Sequence, residues 1–180
     1  MTITPAPLAL ALAGLTITGE SVVHSRKTLG EVAGAFTDAT GVDPDRVLYE
    51  VDVFHRGEPA VPGNLYVGMT TIHPGDVNGE FHMTRGHVHQ DRRAAEIYVG
   101  VAGRGLLLLM DEQGHTRLEE VEPGSIHAIQ GSEGHRLVNT GDESLKVFAV
   151  WPTTAGYDYA AIDGQGFGVR VTTEGIVTAG

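Results

Sequence analysis

The chain has 180 residues, enough for one domain with its own buried core, and it contains no cysteine. Disulfides, thiolate zinc sites and cysteine nucleophiles are therefore excluded, and His, Asp and Glu remain as metal-binding side chains. The chain has 12 Lys and Arg residues and 23 Asp and Glu residues, which gives a formal charge of −11, and it has no basic stretch. This charge argues against nucleic acid or an anionic membrane as partner.

The first 45 residues are expected to form an N-terminal extension. An apolar run at residues 8–15 is too short to span a bilayer, and no Lys or Arg precedes it, since the first basic residue is Arg26. We expect this run to pack on the domain or on a partner subunit, with secretion as the alternative, and we expect a cytoplasmic protein. Apolar residues at helical spacing predict a short helix over residues 29–37, although Gly30 and Gly34 weaken it.

Residues 46–180 have the sequence pattern of a β protein. Short segments rich in Val, Ile, Tyr, Phe and Thr alternate with turn dipeptides such as Pro-Gly. The pattern predicts an all-β, single-domain jelly-roll barrel, which protects strand edges and encloses a ligand-sized interior. We expect Gly103, Gly105 and Gly141 in turns with positive φ, and Asn139 to fix a turn with its side chain. The predicted strands are 48–54, 65–72, 79–89, 95–102, 105–111, 117–121, 125–129, 135–139, 145–150 and 166–171.

Candidate metal ligands lie in residues 84–98. His87 and His89 are two residues apart, a spacing that puts both side chains on one face of a strand but on diverging faces of a helix. Six residues separate His89 from Glu96, enough for a turn and a returning strand. Two imidazoles and one carboxylate can then converge on a cation. The H-x-H-x6-E spacing therefore predicts a metal site on paired strands.

A second motif lies further along the chain. Residues 134–141 read G-H-R-L-V-N-T-G, with His135 and Asn139 in the order H-x3-N. Together with the first motif, which ends at Gly103, and with Pro123-Gly124 between them, the pattern resembles the cupin superfamily. That resemblance implies a small cupin jelly roll in which a divalent metal is coordinated by His87, His89, Glu96 and His135.

Longer segments resemble one family of that superfamily, the cupin-type phosphoglucose isomerases first known from archaea. They are T-x-G-H-x-H at 84–89, A-E-I-Y at 95–98, H-R-x-V-N-T-G-D-E at 135–143 and A-G-x-D-Y at 155–159, with R-K-T-L-G-E-V-A-G-A-F at 26–36 and G-M-T-T-I-H-P-G at 68–75. The resemblance implies an aldose–ketose isomerase that interconverts glucose 6-phosphate and fructose 6-phosphate, a step of glycolysis and gluconeogenesis. It also implies a sugar phosphate as substrate and a homodimer as the assembly.

The resemblance further implies roles for individual residues. Glu96 would carry a proton between C1 and C2 of the open-chain sugar, with a hydride shift as the competing mechanism. Tyr98, on the same strand face, would touch the substrate or steer Glu96. One divalent metal per chain would polarise the sugar oxygens, and three imidazoles with a carboxylate suit Fe, Mn, Zn, Ni or Co. The positions that hold the phosphate are matched by Thr70, Thr84, Gly86 and Tyr159.

The chain also departs from the family pattern near the proposed site. Tyr157 stands where the family typically has histidine, and Ala94 stands where a tyrosine is common. Glu133, two residues ahead of His135, adds a carboxylate that is expected close to the metal. Arg85 and Arg136 flank ligands but would alternate to the opposite strand face, so we expect surface or interface charges there.

Two other functions stay open from the sequence. One is a cupin oxygenase in which Fe(II) or Mn(II) binds O2 at open coordination positions. The other is a non-catalytic sugar-binding or storage cupin that keeps the fold and the metal. The T-x-G at residues 84–86 and the A-G-x-D-Y segment favour the isomerase, because an oxygenase does not need hydroxyl groups that hold a phosphate.

Overall fold

The computed structural model describes residues 9–11, 14–163 and 166–178, and nearly all of the regular structure is β-strand. Residues 8, 12 and 13 of the apolar N-terminal run lie outside the described residues. The remainder forms a hairpin of Ala9–Ala11 (β1) and Thr16–Thr18 (β2). The hairpin contacts the domain through the Thr16 hydroxyl, which donates to Asp52 at 2.9 Å, and through buried Ile17. No helix in these described ranges is long and apolar enough to cross a bilayer.

The largest sheet has six antiparallel strands and forms one wall of a sandwich. Its members are Val23–Thr28 (β3), Val47–His55 (β4), Leu65–Ile72 (β5), Glu96–Ala102 (β8), Ile126–Ile129 (β11) and Leu145–Pro152 (β13). They lie side by side in the order β11, β8, β13, β5, β4, β3. Along β13, alternate residues are buried, as expected when one face of a strand covers a core.

Between β3 and β4 the chain forms the single α-helix of the described residues, Leu29–Val32 (α1), followed by a 3-10 turn at Ala33–Ala35. The predicted helix over residues 29–37 is therefore present but shorter. Glu31 stabilises its start, because its carboxylate accepts a 2.8 Å hydrogen bond from the amide of Thr28.

Two smaller sheets form the other wall. One contains Gly105–Met110 (β9), Thr116–Val121 (β10) and Gly134–Asn139 (β12); the other contains Asp76–Val77 (β6), Glu80–Phe81 (β7), Val169–Thr172 (β14) and Gly175–Thr178 (β15). Every residue of β12 is buried. Leu107 and Leu137 from this wall share one continuous core with Leu48, Ile72 and Val147 of the six-stranded sheet. The all-β, cupin-like expectation is confirmed: the described sheets form a β-sandwich, although they do not close into the expected barrel.

The predicted strand over residues 79–89 is wrong for most of its length. Regular pairing ends after Phe81, and the segment continues as isolated antiparallel bridges. Gly86 adopts a φ of +78°, which interrupts an extended backbone. A Cβ there would lie 3.0 Å from Phe167 and 3.1 Å from the Arg136 Nε, so a side chain at this φ would be both strained and crowded. The bridges join Met83 to Val138, His87 to His135 and Val88 to Asp158.

Turn predictions had mixed outcomes. Gly103 has a φ of +73°, as predicted, whereas Gly105 and Gly141 do not adopt positive φ, so their prediction is wrong. Gly105 is required for a different reason, because a Cβ would lie 2.2 Å from the carbonyl oxygen of Val138 on the neighbouring strand. Close approach of two backbones, and not a left-handed turn, explains this glycine.

Asn139 fixes a turn, as predicted. Its side chain is fully buried. The Nδ2 group donates to the carbonyl oxygens of Ile72 and Glu143, both at 2.9 Å, and Oδ1 accepts from the amide of Gly141 at 3.0 Å. One amide therefore ties the end of β12 to the end of β5 and to the turn that leads into β13.

We expect Asn139→Ala to lower the free energy of unfolding by about 3 kcal/mol, since three buried backbone groups lose their partner. Urea denaturation with an unchanged m-value would measure this loss. Asn64→Ala is the matched control, because the Asn64 side chain donates one hydrogen bond, to the Glu58 carbonyl in an exposed turn; its cost should stay below about 1 kcal/mol. Equal costs for the two variants would contradict the role assigned to Asn139.

Candidate active site

One backbone bridge fixes two of the predicted metal ligands. The amide of His87 donates to the carbonyl of His135 at 3.2 Å, and the amide of His135 donates back at 2.9 Å. Residues that face each other in an antiparallel pair project their side chains to the same side. The two imidazole centroids are accordingly 4.3 Å apart. The two sequence motifs are therefore in direct contact.

The other two ligands flank the turn at residues 90–95. His89 is completely buried, and its Nδ1 donates to the carbonyl of Ala94 at 2.6 Å. Its Nε2 lies 3.2 Å from Oε2 of Glu96, the first residue of β8. The same carboxylate oxygen is 3.3 Å from Nε2 of His135. The carboxylate therefore contacts imidazoles on both sides.

Together these four side chains could hold a metal ion. One ligand atom from each of His87, His89, Glu96 and His135 lies within 4.8 Å of the others. The Nε2 atoms of His87 and His135 are buried without a hydrogen-bond partner among the described residues, although buried polar atoms normally have one. The Nδ1 of His135 donates to the Glu133 carbonyl at 3.1 Å, so its Nε2 presents a lone pair, as that of His89 does. This donor set fits a metal.

The pKa shifts of His87 and Glu96 favour the protonation states of metal ligands. Burial, followed by the charges of His135 and His89, holds the pKa of His87 well below its usual value. For Glu96, burial raises the pKa, but the contacts with the His135 and His89 rings outweigh it, so the pKa is lowered. For His89, burial lowers the pKa, but the contacts with Glu96 and the Ala94 carbonyl outweigh it, so the pKa is raised. A neutral imidazole and an ionised carboxylate are the forms that bind metals.

The ligand cluster opens onto a cavity of about 270 Å³ between the walls of the sandwich. The residues predicted to contact substrate, at positions 70, 84, 86, 98 and 159, all line it. His89 lies behind the surface of the cavity. The lining residues are Ser25, Lys27, Tyr49, Val51, Val53, Gly68, Thr70, Thr84, Arg85, Gly86, His87, Glu96, Tyr98, His135, Ala149, Trp151, Tyr157 and Tyr159.

Two tyrosines cover one side of the ligand cluster. The rings of Tyr157 and Tyr159 lie 4.8 and 5.9 Å from the ring of His87, and their planes are within 10° of parallel. Asp158, between them, pairs through its amide and carbonyl with the backbone of Val88. Burial, followed by the charge of Glu96, raises the pKa of Tyr157 to about 12. Tyr157 therefore presents a neutral hydroxyl at the position where the family typically has histidine.

The prediction of a surface charge is wrong for Arg136, and the predicted alternation away from the ligands is wrong for Arg85. Arg136 is buried, and its Nη2 and Nε donate to the carbonyl of Arg85 at 2.6 and 3.2 Å. Burial, followed by the charge of Arg170, lowers its pKa to about 10, so it remains a cation at neutral pH. Arg85 lines the cavity, with its guanidinium carbon 4.3 Å from the ring centroid of Tyr159. The positive φ of Gly86 breaks the alternation that would have turned Arg85 away.

The expected position of the Glu133 carboxylate is also corrected. The carboxylate of Glu133 pairs with Arg117 and accepts the amide of Gln130 at 2.9 Å, and it does not line the cavity. Only its carbonyl contacts a ligand, at Nδ1 of His135. Ala94 is buried and does not itself line the cavity, but it belongs to a small cluster with Ala149 and Trp151, which do line it.

Sequence motifs missed several lining residues. Ser25 and Lys27 come from β3, Tyr49 from β4 and Trp151 from β13. The available signal was the period-two spacing of Ser25 and Lys27, which alternate toward the cavity as strand residues do. A polar stretch of this kind carries no apolar alternation, so it was not predicted as a strand.

Among solved structures, the oxalate decarboxylase of Lactobacillus farciminis aligns with 62% of this chain and 30% of its own, at 19% identity and a TM-score of 0.48.

Sequence comparisons give closer relatives. A model of the family described as glucose-6-phosphate isomerase matches residues 25–178. The glucose-6-phosphate isomerase of Thermococcus litoralis is 35% identical over 86% of this chain and 83% of its own length. That of Pyrococcus horikoshii is 38% identical over 72% and 68%, and that of Sinorhizobium medicae 32% identical over 83% and 72%. The chain therefore belongs to the glucose-6-phosphate isomerase family, in its cupin form.

Proposed function

We propose that the protein interconverts glucose 6-phosphate and fructose 6-phosphate, using one divalent metal per chain. The observation that carries this proposal is the convergence of four ligand atoms on one wall of a cavity that also presents hydroxyl groups. Relatives named as glucose-6-phosphate isomerases support the substrate. The proposed ligands are His87, His89, Glu96 and His135.

When bound, a divalent ion supplies Lewis-acid polarisation of the carbonyl and adjacent hydroxyl oxygens of the sugar. Neutral imidazoles and a carboxylate suit Fe, Mn, Zn, Ni and Co alike, so the donor set selects a class of metal and not a single element. The protein contributes the fixed orientation of the donors, through the Ala94 and Glu133 carbonyls that hold the Nδ1 atoms of His89 and His135.

Glu96 is the proposed base. By the proton-transfer route, the C2 proton is removed to give an enediolate and a proton is delivered to C1, while the O2 hydrogen is transferred to O1. Glu96 is ionised, because its pKa is lowered, and it lines the cavity. Its Oε2 carries both imidazole contacts, which leaves Oε1 for the substrate. The same carboxylate can take the proton and return it without leaving the cavity.

Hydroxyl groups around Glu96 are proposed to bind the sugar. Burial, followed by the charge of Glu96, raises the pKa of Tyr98 well above its usual value, so this residue donates as a neutral hydroxyl. The Thr84 oxygen accepts the amide of Leu137 at 3.1 Å, which leaves its hydrogen for the cavity. Thr70, Tyr159 and the amide of Gly86 complete the proposed contacts with the phosphate end.

Metal depletion tests the whole proposal. The protein is stripped with a chelator, reconstituted with Fe, Mn, Zn, Ni or Co singly, and assayed for fructose 6-phosphate formed from glucose 6-phosphate. We expect the stripped protein to be inactive and at least one metal to restore turnover. Absence of turnover with all five metals would refute the substrate, and oxygen uptake in its place would support the oxygenase.

Glu96→Gln should retain part of its metal affinity but lose about 10²- to 10⁴-fold in kcat, the range that a positioned base contributes. The measurement is steady-state kinetics on metal-loaded protein, together with exchange of the C2 hydrogen in D2O. Glu122→Gln is the control, since its side chain is half exposed and outside the cavity lining. Undiminished kcat for Glu96→Gln would remove Glu96 as the base and favour a hydride shift.

His135→Ala should lose bound metal and activity together, because one of four ligands is removed. Metal content per folded chain, measured by elemental analysis, checks this. His127→Ala is a matched control: His127 is equally buried, but its ring nitrogens bond to Glu119 at 2.7 Å and Ser125 at 3.0 Å, away from the cavity lining. The control should bind metal like the wild type. Full metal content in His135→Ala would contradict the ligand assignment.

We also propose a homodimer in the cytoplasm. Strands β3 and β11 are the two edges of the six-stranded sheet, and they expose Val23 and Ile126 at 62% and 72%. Exposed apolar side chains on an edge strand are typical of a surface that pairs with another chain. Light scattering that gives a monomer at micromolar concentration would contradict the dimer.

The cytoplasm is proposed because a sugar phosphate carries charges that keep it inside the cell.

A further inference from the structure

The open end of the cavity carries two cations that the metal-ligand motifs do not explain. Lys27 on β3 and Arg85 both line the cavity, and their side chains are 41% and 38% exposed. The ligand Nε2 atoms of His87 and His135, by contrast, are buried. Among the described lining residues, Glu96 is the only acid. In a chain with a formal charge of −11, the side chains that line this cavity therefore include more cations than acids.

The ring of Tyr159 lies next to both Arg85 and the ligand cluster. The ring of His87 lies 5.9 Å from that of Tyr159, and the guanidinium of Arg85 lies over the same tyrosine at 4.3 Å. A hexose 6-phosphate has its reacting carbons, C1 and C2, at one end and its phosphate at the other. A sugar with C1 and C2 at Glu96 therefore directs its phosphate toward the open end.

Both cations are held in position by groups outside the cavity. Lys27 Nζ is 2.9 Å from Glu31, and Arg85 Nη2 is 2.9 Å from Asp163. Neither carboxylate lines the cavity. Tyr49 connects the two cations, because it faces Lys27 across the β3–β4 pair and its hydroxyl accepts the amide of Arg85 at 3.5 Å.

Arg85 is also fixed through its backbone. Two hydrogen bonds from the buried Arg136 end on its carbonyl oxygen, and its side chain stacks on Tyr159. Its ion pair with Asp163 uses Nη2, so Nε and Nη1 remain as donors for an anion. A planar, pre-oriented guanidinium with free donors is the arrangement that recognises phosphate.

We propose that Lys27 and Arg85 form a phosphate-recognition pair at the open end of the cavity. The pair binds the C6 phosphate of the sugar on which the metal centre acts, so this inference rests on the proposed function. The hydroxyls of Thr70 and Thr84 supply directional hydrogen bonds, whereas the two cations supply the charge that a dianion requires. The pair therefore determines the preference for a phosphorylated over a free sugar.

A binding assay tests the pair independently of turnover. The metal-loaded protein is titrated with 6-phosphogluconate, which cannot isomerise, and with gluconate, which differs by lacking the phosphate. Trp151, the single tryptophan of the chain, lines the cavity and provides a fluorescence signal. We expect Arg85→Gln and Lys27→Gln each to weaken 6-phosphogluconate about tenfold, the value of a charge-assisted hydrogen bond, and to leave gluconate unchanged. The loss of affinity with added salt should also become less steep.

Arg104→Gln is the matched control, because Arg104 is exposed, pairs with Glu122 at 3.4 Å and is outside the cavity lining. Wild-type affinity for 6-phosphogluconate in both cavity variants would overturn the inference, as would equal weakening of gluconate. The isomerase assay on the same preparations separates the two proposals. If the wild-type protein isomerises the sugar phosphate and the variants keep its preference for 6-phosphogluconate over gluconate, the pair alone is refuted. If the variants lose that preference but the wild-type protein does not isomerise the sugar phosphate, the reaction alone is refuted.

Discussion

The backbone bridge between His87 and His135 is the contact on which the site depends. The segment after β7 is not a regular strand, yet it stays attached to β12 through this bridge and the one at Met83. His87 and His135 are thereby positioned by each other's motif. On its other side the same segment pairs with Asp158, which brings both tyrosines over the imidazoles. A local change in this segment would reach the ligands and the cavity wall together.

Burial of the ligands couples the metal centre to the stability of the fold. Each buried polar atom without a partner costs on the order of 1–3 kcal/mol, and two such nitrogens face each other across the cluster. Any ion that binds these atoms in the folded state and not in the unfolded chain stabilises the fold by mass action. The hydrogen bonds from His89 and His135 to backbone carbonyls hold their rings in place without that ion.

Spacing alone predicted three of the four proposed ligands, because strand periodicity and a short turn leave few other arrangements for His87, His89 and Glu96. The fourth, His135, was implied by the resemblance to cupins. Strands with apolar alternation, such as β5 and β8, were also predicted within a residue or so of their observed bounds. Burial on both faces was harder to predict. Strand alternation predicts exposed residues only when one face of the strand is in contact with solvent. Both faces of β12 are covered, so Arg136 is a buried hydrogen-bond donor and not a surface charge. Lys27 was missed because β3 has no apolar face that marks it as a strand.

Gly86 explains how one short segment serves several purposes. In a regular strand, alternate residues share a face, so at most every second residue between 84 and 87 could reach the cavity. The observed lining includes Thr84, Arg85, Gly86 and His87 in succession. A φ of +78° at the glycine turns the backbone between the arginine and the first ligand, and a Cβ there would be strained and crowded against Phe167 and Arg136. The T-x-G-H sequence thus places the Thr84 hydroxyl, the Arg85 guanidinium, the Gly86 backbone and the His87 imidazole on the same cavity wall. The turn at Gly86 therefore sets the distance between the metal ligands and the cation at Arg85.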